Sequence, residues 1–237
     1  LRVVQKVFIE KMKGELVPRL TNNCKGELFD ISYRQGGLEV SKGNTKLDDC
    51  TLIMNMGPAE TCPSKQLGFC KVGERCYARK AEKLYKHCLP YRRRQYNYWI
   101  DETANGIAAQ LSLLLKRIRT PIKYLRFNES GDFHSQECVQ KLSLLAEYLK
   151  KEHNITTYGY TARQDLNFEN VHFLVKGSSH NSGNNGQTIV LRKNKIQNHL
   201  STLSESEKPN WIVCPMSCRE CDICKEPTGT NVIFPLH

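Results

Sequence analysis

An α/β fold, either an incomplete barrel or an open parallel sheet of about six strands with helical crossovers, is what the pattern of apolar runs predicts. Short apolar or β-branched runs recur at residues 51–56, 122–128, 155–161, 171–176, 187–192 and 211–214. Helical periodicity or polar connections separate them, and strands that alternate with helices pair in parallel. Six strands are too few to close an eight-stranded barrel.

Ahead of the main body, residues 28–33 and 38–41 alternate around Arg34-Gln35-Gly36-Gly37, the pattern of a hairpin. The run at 51–56 must stop at Gly57-Pro58. From Glu74 the spacing turns helical through Tyr77, Ala81, Leu84 and Cys88, and Pro90 interrupts before a second segment through Trp99. Ile107, Leu111, Leu114, Leu115 and Ile118 share one face of the next helix, which Thr120-Pro121 ends. Ser135 is placed to cap a helix whose core face is Val139, Leu142, Leu145 and Leu149. Residues 177–186, rich in Ser, Asn and Gly, read as a mobile loop over one end. The chain thus divides into an N-terminal extension with a hairpin (1–50), an α/β core (51–213) and a cysteine-rich, metal-binding segment packed on the core (214–237).

With 237 residues and 39% hydrophobic content the chain can bury a core without covalent staples. Its apolar stretches, such as 111–115, fall far short of the ~20 residues that span a bilayer, and residues 1–10 lack a secretory pattern. The expectation is a cytoplasmic protein without a membrane partner. A formal charge of +11 favours polyanions, nucleic acid being the commonest. Arg92, Arg93 and Arg94, interleaved with Tyr91, Tyr96, Tyr98 and Trp99, are the candidate nucleic-acid contacts.

Eleven cysteines cannot all pair within one molecule, and their clustering points to metal ligands. Cys214, Cys218, Cys221 and Cys224 put four thiols within eleven residues, dense enough for one loop to wrap an iron–sulfur cube, with tetrahedral zinc as the alternative. Cys62, Cys70 and Cys76 follow the 51–56 strand and leave a four-iron cluster one ligand short. Such a cluster either keeps an open iron for a small molecule or takes a fourth ligand from the C-terminal set. Cys24, Cys50, Cys88 and Cys138 read as buried small hydrophobes, with Cys88 or its neighbour His87 the alternative for completing the front site, and His134, His172 and His180 read as structural or solvated.

The exits of the next two core strands carry the other candidates. Glu129, Ser130, Gly131 and Asp132 combine polar oxygens with a glycine that permits close approach, a turn suited to a cofactor amine or hydroxyl. Arg126, Tyr160, Thr161 and Arg163 are placed to border a substrate, Arg163 holding a carboxylate or phosphate.

Several motifs in order then resemble the phage gene-product-eighty-eight family. They are the run from Ser41 to Leu47, Thr61-Cys62-Pro63 through Cys76-Tyr77-Ala78, Arg126 to Phe133 with its Ser-Gly-Asp-Phe core, Tyr158 to Thr161, and the terminal cysteine run. Membership implies a protein of phage or mobile-element type, in the host cytoplasm. A wider similarity is to radical S-adenosylmethionine enzymes, which use a partial barrel with three cluster cysteines after the first strand. That similarity implies one or two 4Fe-4S clusters, the front one at Cys62, Cys70 and Cys76, and S-adenosylmethionine contacted by Ser130 to Asp132. The C-terminal cysteines would form an auxiliary cluster. The intervals between the front cysteines, seven and five residues, are longer than in that family. The functional expectation is an iron–sulfur, radical S-adenosylmethionine-like protein that modifies nucleic acid or a nucleotide. The alternative is a non-enzymatic protein, stabilised by iron–sulfur or zinc, that binds nucleic acid or a host protein.

Overall fold

The computed structural model describes residues 17–22, 27–32, 37–180 and 183–236. Ten strands form one sheet: β1 (Val17–Asn22), β2 (Glu27–Ser32), β3 (Glu39–Lys42), β4 (Thr51–Met54), β5 (Tyr124–Phe127), β6 (Thr156–Thr161), β7 (Leu174–Ser178), β8 (Gln187–Arg192), β9 (Trp211–Val213) and β10 (Asn231–Leu236). Their order is β1-β2-β3-β4-β5-β6-β7-β8-β10-β9, open at both edges, so the sheet is not a closed barrel. The first four strands pair antiparallel, and β4 through β9 pair in parallel throughout.

The hairpin expected ahead of the core is β2 and β3, with Phe29 opposite Val40; its turn, 33–36, lies outside the described residues. All six core strands form. Two further strands, β1 and β10, were not foreseen from the sequence. β10 slots between β8 and β9, which a linear reading cannot reveal because the pairing partner is remote in the chain.

Helices α1 (Pro63–Gln66), α2 (Tyr77–Leu84), α3 (Cys88–Asp101) and α4 (Ala104–Leu115) connect β4 to β5, and α5 (Gln136–His153) connects β5 to β6. α6 (Lys193–Thr202) leads from β8 toward β9. Pro90 sits in the first turn of α3, where its missing N–H has no helical partner to lose. Thr103 caps α4 by accepting from the Gly106 N–H at 3.1 Å. At Ser135 the expected cap differs: the residue occupies the position, but its hydroxyl bonds the Glu137 side chain instead of the backbone. α5 stops at Asn154, which adopts φ +53° and returns its N–H to the Lys150 carbonyl.

Alternation along the strands sorts side chains onto two faces. Leu52, Met54, Leu125, Phe127 and Val175 join Ile107, Leu111, Val139, Leu142, Leu145 and Leu149 of the helices in one buried cluster. Residues one step out of phase, Arg126, Tyr158, Tyr160, Val232 and Phe234, point to the opposite face. That face is concave. Tyr160 and Phe234 lie on strands three positions apart, a separation of about 14 Å in a flat sheet, yet their ring centroids are 6.0 Å apart.

The described part of the glycine-rich connection after β7 is held to the sheet by hydrogen bonds. The Asn185 N–H bonds the Val175 carbonyl at 3.0 Å, and the Gly177 N–H bonds Gly186 at 3.0 Å. Asn184 spans the Phe173 carbonyl and the Val175 N–H with its side-chain amide. Residues 181–182 of this connection lie outside the described residues.

Phe133 is fully buried, with Phe127, Phe168 and Phe173 rings at 5.4, 5.3 and 5.8 Å. Replacing it by alanine is expected to lower the free energy of unfolding by about 3–5 kcal/mol, read from the urea midpoint. A change below about 1 kcal/mol would show that this aromatic cluster does not hold the core.

Candidate functional site

Because β4, β5, β6 and β9 are parallel, their carboxyl ends share one edge of the sheet. The front cysteines follow β4, the Ser-Gly-Asp turn follows β5, and the terminal cysteine run follows β9. From that edge the terminal run turns back over the concave face. The Cys214 N–H first extends the ladder to the Ile233 carbonyl at 2.8 Å, and the Cys218 N–H then reaches Lys46 at 3.2 Å. Lys225, almost wholly buried, locks the far end. Its amine bonds Asp222 at 2.5 Å and the Cys218 carbonyl at 3.0 Å, stands 3.8 Å from Asp48, and lies 4.6 Å from the centre of the Tyr124 ring.

Beneath this segment is a pocket whose wall includes Cys214, Cys218, Cys221 and Cys224, and whose sheet side carries Arg126, Tyr158 and Tyr160. Burial pushes the thiols of Cys214, Cys218 and Cys224 up. Arg126 and Lys225 oppose the rise at Cys218, and the Tyr160 hydroxyl and the Lys176 amine oppose it at Cys224. Two polar atoms of the pocket, Arg126 Nε and the Tyr158 hydroxyl, are shielded from solvent and make no hydrogen bond among the described residues. Burying such atoms unpaired costs about 1–3 kcal/mol each. Arg126 lies 5.4 Å from the Tyr160 ring centre, and no carboxylate hydrogen-bonds it among the described residues. Among the described residues no three His, Cys, Asp or Glu side chains converge closely enough to hold an ion as they stand. The four thiols therefore share a pocket without being drawn to ligand distance.

The front cysteines lie apart from this pocket wall. Cys62 caps α1, its carbonyl accepting from Lys65 and Gln66 at 3.1 Å. Burial, followed by the Asp132 charge, pushes its thiol up to about 12, with neighbouring Cys70 adding to the rise. Cys76 caps α2 beside Tyr77, whose hydroxyl donates to the Glu129 carbonyl. Of the cysteines expected to be buried hydrophobes, Cys138 is buried. Cys50 and Cys88 are only half-buried, because Cys50 donates its thiol to Asp48 at 2.9 Å and Cys88 opens α3 near Arg92. Cys24 lies outside the described residues.

The turn after β5 is occupied by the protein itself. Asp132 accepts from Ser64 Oγ at 2.5 Å, Thr161 Oγ1 at 2.8 Å, and the Phe133 and Ala162 N–H groups at 2.9 Å. Burial holds its carboxyl above the ordinary range, and these four donors work against that rise. Gly131 has φ +80°, and a Cβ there would meet the Met56 and Gly57 backbone at 2.7–2.8 Å. Glu129 accepts from Asn44 at 3.0 Å, whereas the Ser130 hydroxyl is buried without a hydrogen-bond partner among the described residues. Arg163 grips Asp165 through two 2.7 Å bonds and donates to the Phe133 and His134 carbonyls. Of the four residues expected to border a substrate, Arg126 and Tyr160 enter the pocket, while Thr161 and Arg163 are engaged in holding strand exits.

The arginine triplet of α3 is likewise neutralised within the chain. Arg92 is buried against Glu82 at 2.8 Å, Arg93 pairs with Glu60 at 2.7 Å, and Arg94 grips Glu39 at 2.5 and 3.0 Å. Their helical spacing sends them to different sides of α3, so they form no continuous basic stripe. Sequence reasoning missed Tyr158, Lys176 and Lys225. Alternation within β6 carries the signal for Tyr158, two positions before Tyr160, but nothing local marks a buried lysine.

A family model described as Gene product 88 matches residues 37–208, most of the chain. The protein belongs to that family. No curated protein and no solved structure matches it.

Asp132→Asn keeps the shape of the side chain but confronts N–H donors with an amide N–H. A loss of at least about 2 kcal/mol of stability is expected, measured by chemical denaturation. Unchanged stability would mean that these four bonds do not hold the strand exits together.

Proposed function

We propose that this protein is a metalloprotein in which Cys214, Cys218, Cys221 and Cys224 ligate an iron–sulfur cluster within the concave face of the sheet. The observation that carries the reading is the pocket itself: four thiols share it with an unpartnered arginine Nε and an unpartnered tyrosine hydroxyl. A cluster ligated by four thiolates is an anionic body rich in acceptors, which is what those two donors lack. Arg126 contributes a cation at the pocket floor, with Lys225 beneath the loop and Lys176 near Cys224. Lys176 is held by the Asn185 and Thr230 carbonyls at 2.5 and 2.6 Å, which fixes the position of its amine; burial lowers its pKa and the Cys224 thiolate opposes that fall. The Tyr160 hydroxyl is positioned to donate to the Cys224 sulfur, a contact that favours the thiolate. When bound, the cluster supplies one-electron chemistry.

The reading does not extend to S-adenosylmethionine. Both carboxylate oxygens of Asp132 are bonded within the protein and Gly131 is packed on backbone, so these two residues are taken up in joining strand exits.

Anaerobically purified protein is expected to contain iron and acid-labile sulfide with a broad band near ~400 nm. Cys218→Ala/Cys221→Ala should lose this centre, and Cys62→Ala/Cys70→Ala/Cys76→Ala should keep it. Zinc without sulfide would replace the cluster by a structural metal, and metal-free protein after reconstitution would overturn the proposal. Arg126→Leu removes a cation beside the centre and is expected to move its reduction potential downward in voltammetry. An unchanged potential would separate Arg126 from the centre.

A further inference from the structure

The lobe between β4 and α3 carries a surface that the metal centre does not use. Residues 64–87 contain seven lysines and arginines and two carboxylates, in a chain with a formal charge of +11. Both acids are taken: Glu74 pairs with Arg79, and Glu82 turns inward to Arg92. Lys65, Lys71, Arg75, Lys80, Lys83 and Lys86 are exposed and enter none of the ion pairs among the described residues.

The same stretch holds half of the ten large hydrophobic side chains exposed among the described residues. These are Leu67, Val72, Tyr77, Leu84 and Tyr85, the last three 56%, 65% and 47% exposed. Tyr77, Lys80 and Leu84 stand at i, i+3 and i+7 on α2 and so share one side of it. Tyr85 follows as its C-cap. Gly68 and Gly73 have only open space where a side chain would stand, which leaves the neighbouring backbone accessible.

We propose that this lobe binds single-stranded nucleic acid. A single strand presents a regular row of phosphates together with uncovered base planes. Unpaired cations interleaved with exposed tyrosine rings and aliphatic side chains complement both. A duplex hides its base faces and would engage only the lysines and Arg75. The inference stands on the charge and exposure of residues 64–87 and is independent of the metal centre.

The test is fluorescence anisotropy of a labelled thymidine or uridine oligomer of about 20 nucleotides, titrated with the full chain at two salt concentrations. Binding should fall steeply with salt. Lys80→Glu/Lys83→Glu/Lys86→Glu should weaken it about tenfold or more. Tyr85→Ala should weaken it about fivefold or more without changing the salt slope. Thermal melts of each variant establish that it folds. Equal affinity for duplex with no effect of Tyr85→Ala would reduce the surface to phosphate contact and overturn the proposal. So would tight binding of an acidic peptide in the absence of any binding to the oligomer.

Discussion

The buried carboxylate of Asp132 joins the exits of three strands, and the relative placement of the residues that leave β4, β5 and β6 follows from that junction. Ser64 comes from the helix after β4, Thr161 and Ala162 from the end of β6, and Asp132 itself from the turn after β5. A carboxylate accepts about four hydrogen bonds, and here all are made. Anything less would leave a buried polar group without its partners. The close approach of Gly131 to the Met56–Gly57 backbone completes the joint, since any side chain at that position would force the two loops apart. Ser-Gly-Asp-Phe is therefore a splice between strand exits, with Phe133 anchoring it in the aromatic core.

With the exits fixed, the parallel register decides what each face contains. The face toward the helices is apolar and closely packed. The concave face carries Arg126, Tyr158, Tyr160 and Lys176, groups that need partners when buried. The segment 214–225 supplies the cover, and its four cysteines are the groups it brings to that polar interior. Charge is distributed accordingly: cations lie near thiols on the concave side, arginines of α3 meet glutamates, and unpaired cations gather on the lobe ahead of α3. A formal charge of +11 thus has a location as well as a size.

Much of the scaffold was legible in the order of residues. The six core strands, the β2–β3 hairpin and the helices after β4 and β5 announce themselves through apolar periodicity, Gly-Pro and Thr-Pro stops, and capping residues. Such signals are local, arising between side chains a few positions apart. The family likewise rests on motifs read in order, and its model covers residues 37–208. The cysteine run was conspicuous because its members are adjacent in the chain.

What the order of residues did not contain was which partner each of these groups meets. Arg92, Arg93 and Arg94 look alike in sequence, yet each meets a different carboxylate, Glu82, Glu60 or Glu39. Arg126 and Arg163 both stand near strand ends, but Arg163 is clasped by Asp165 whereas the Nε of Arg126 has no hydrogen-bond partner among the described residues. The insertion of β10 between β8 and β9 brings Val232 and Phe234 to the pocket wall from the far end of the chain. Periodicity, caps and clustered thiols were set by the sequence itself, because they depend on neighbours along the chain. Pairing, burial and the sharing of a pocket were decided only in the tertiary structure, because electrostatics and packing act between groups that the fold, and not the chain, makes neighbours.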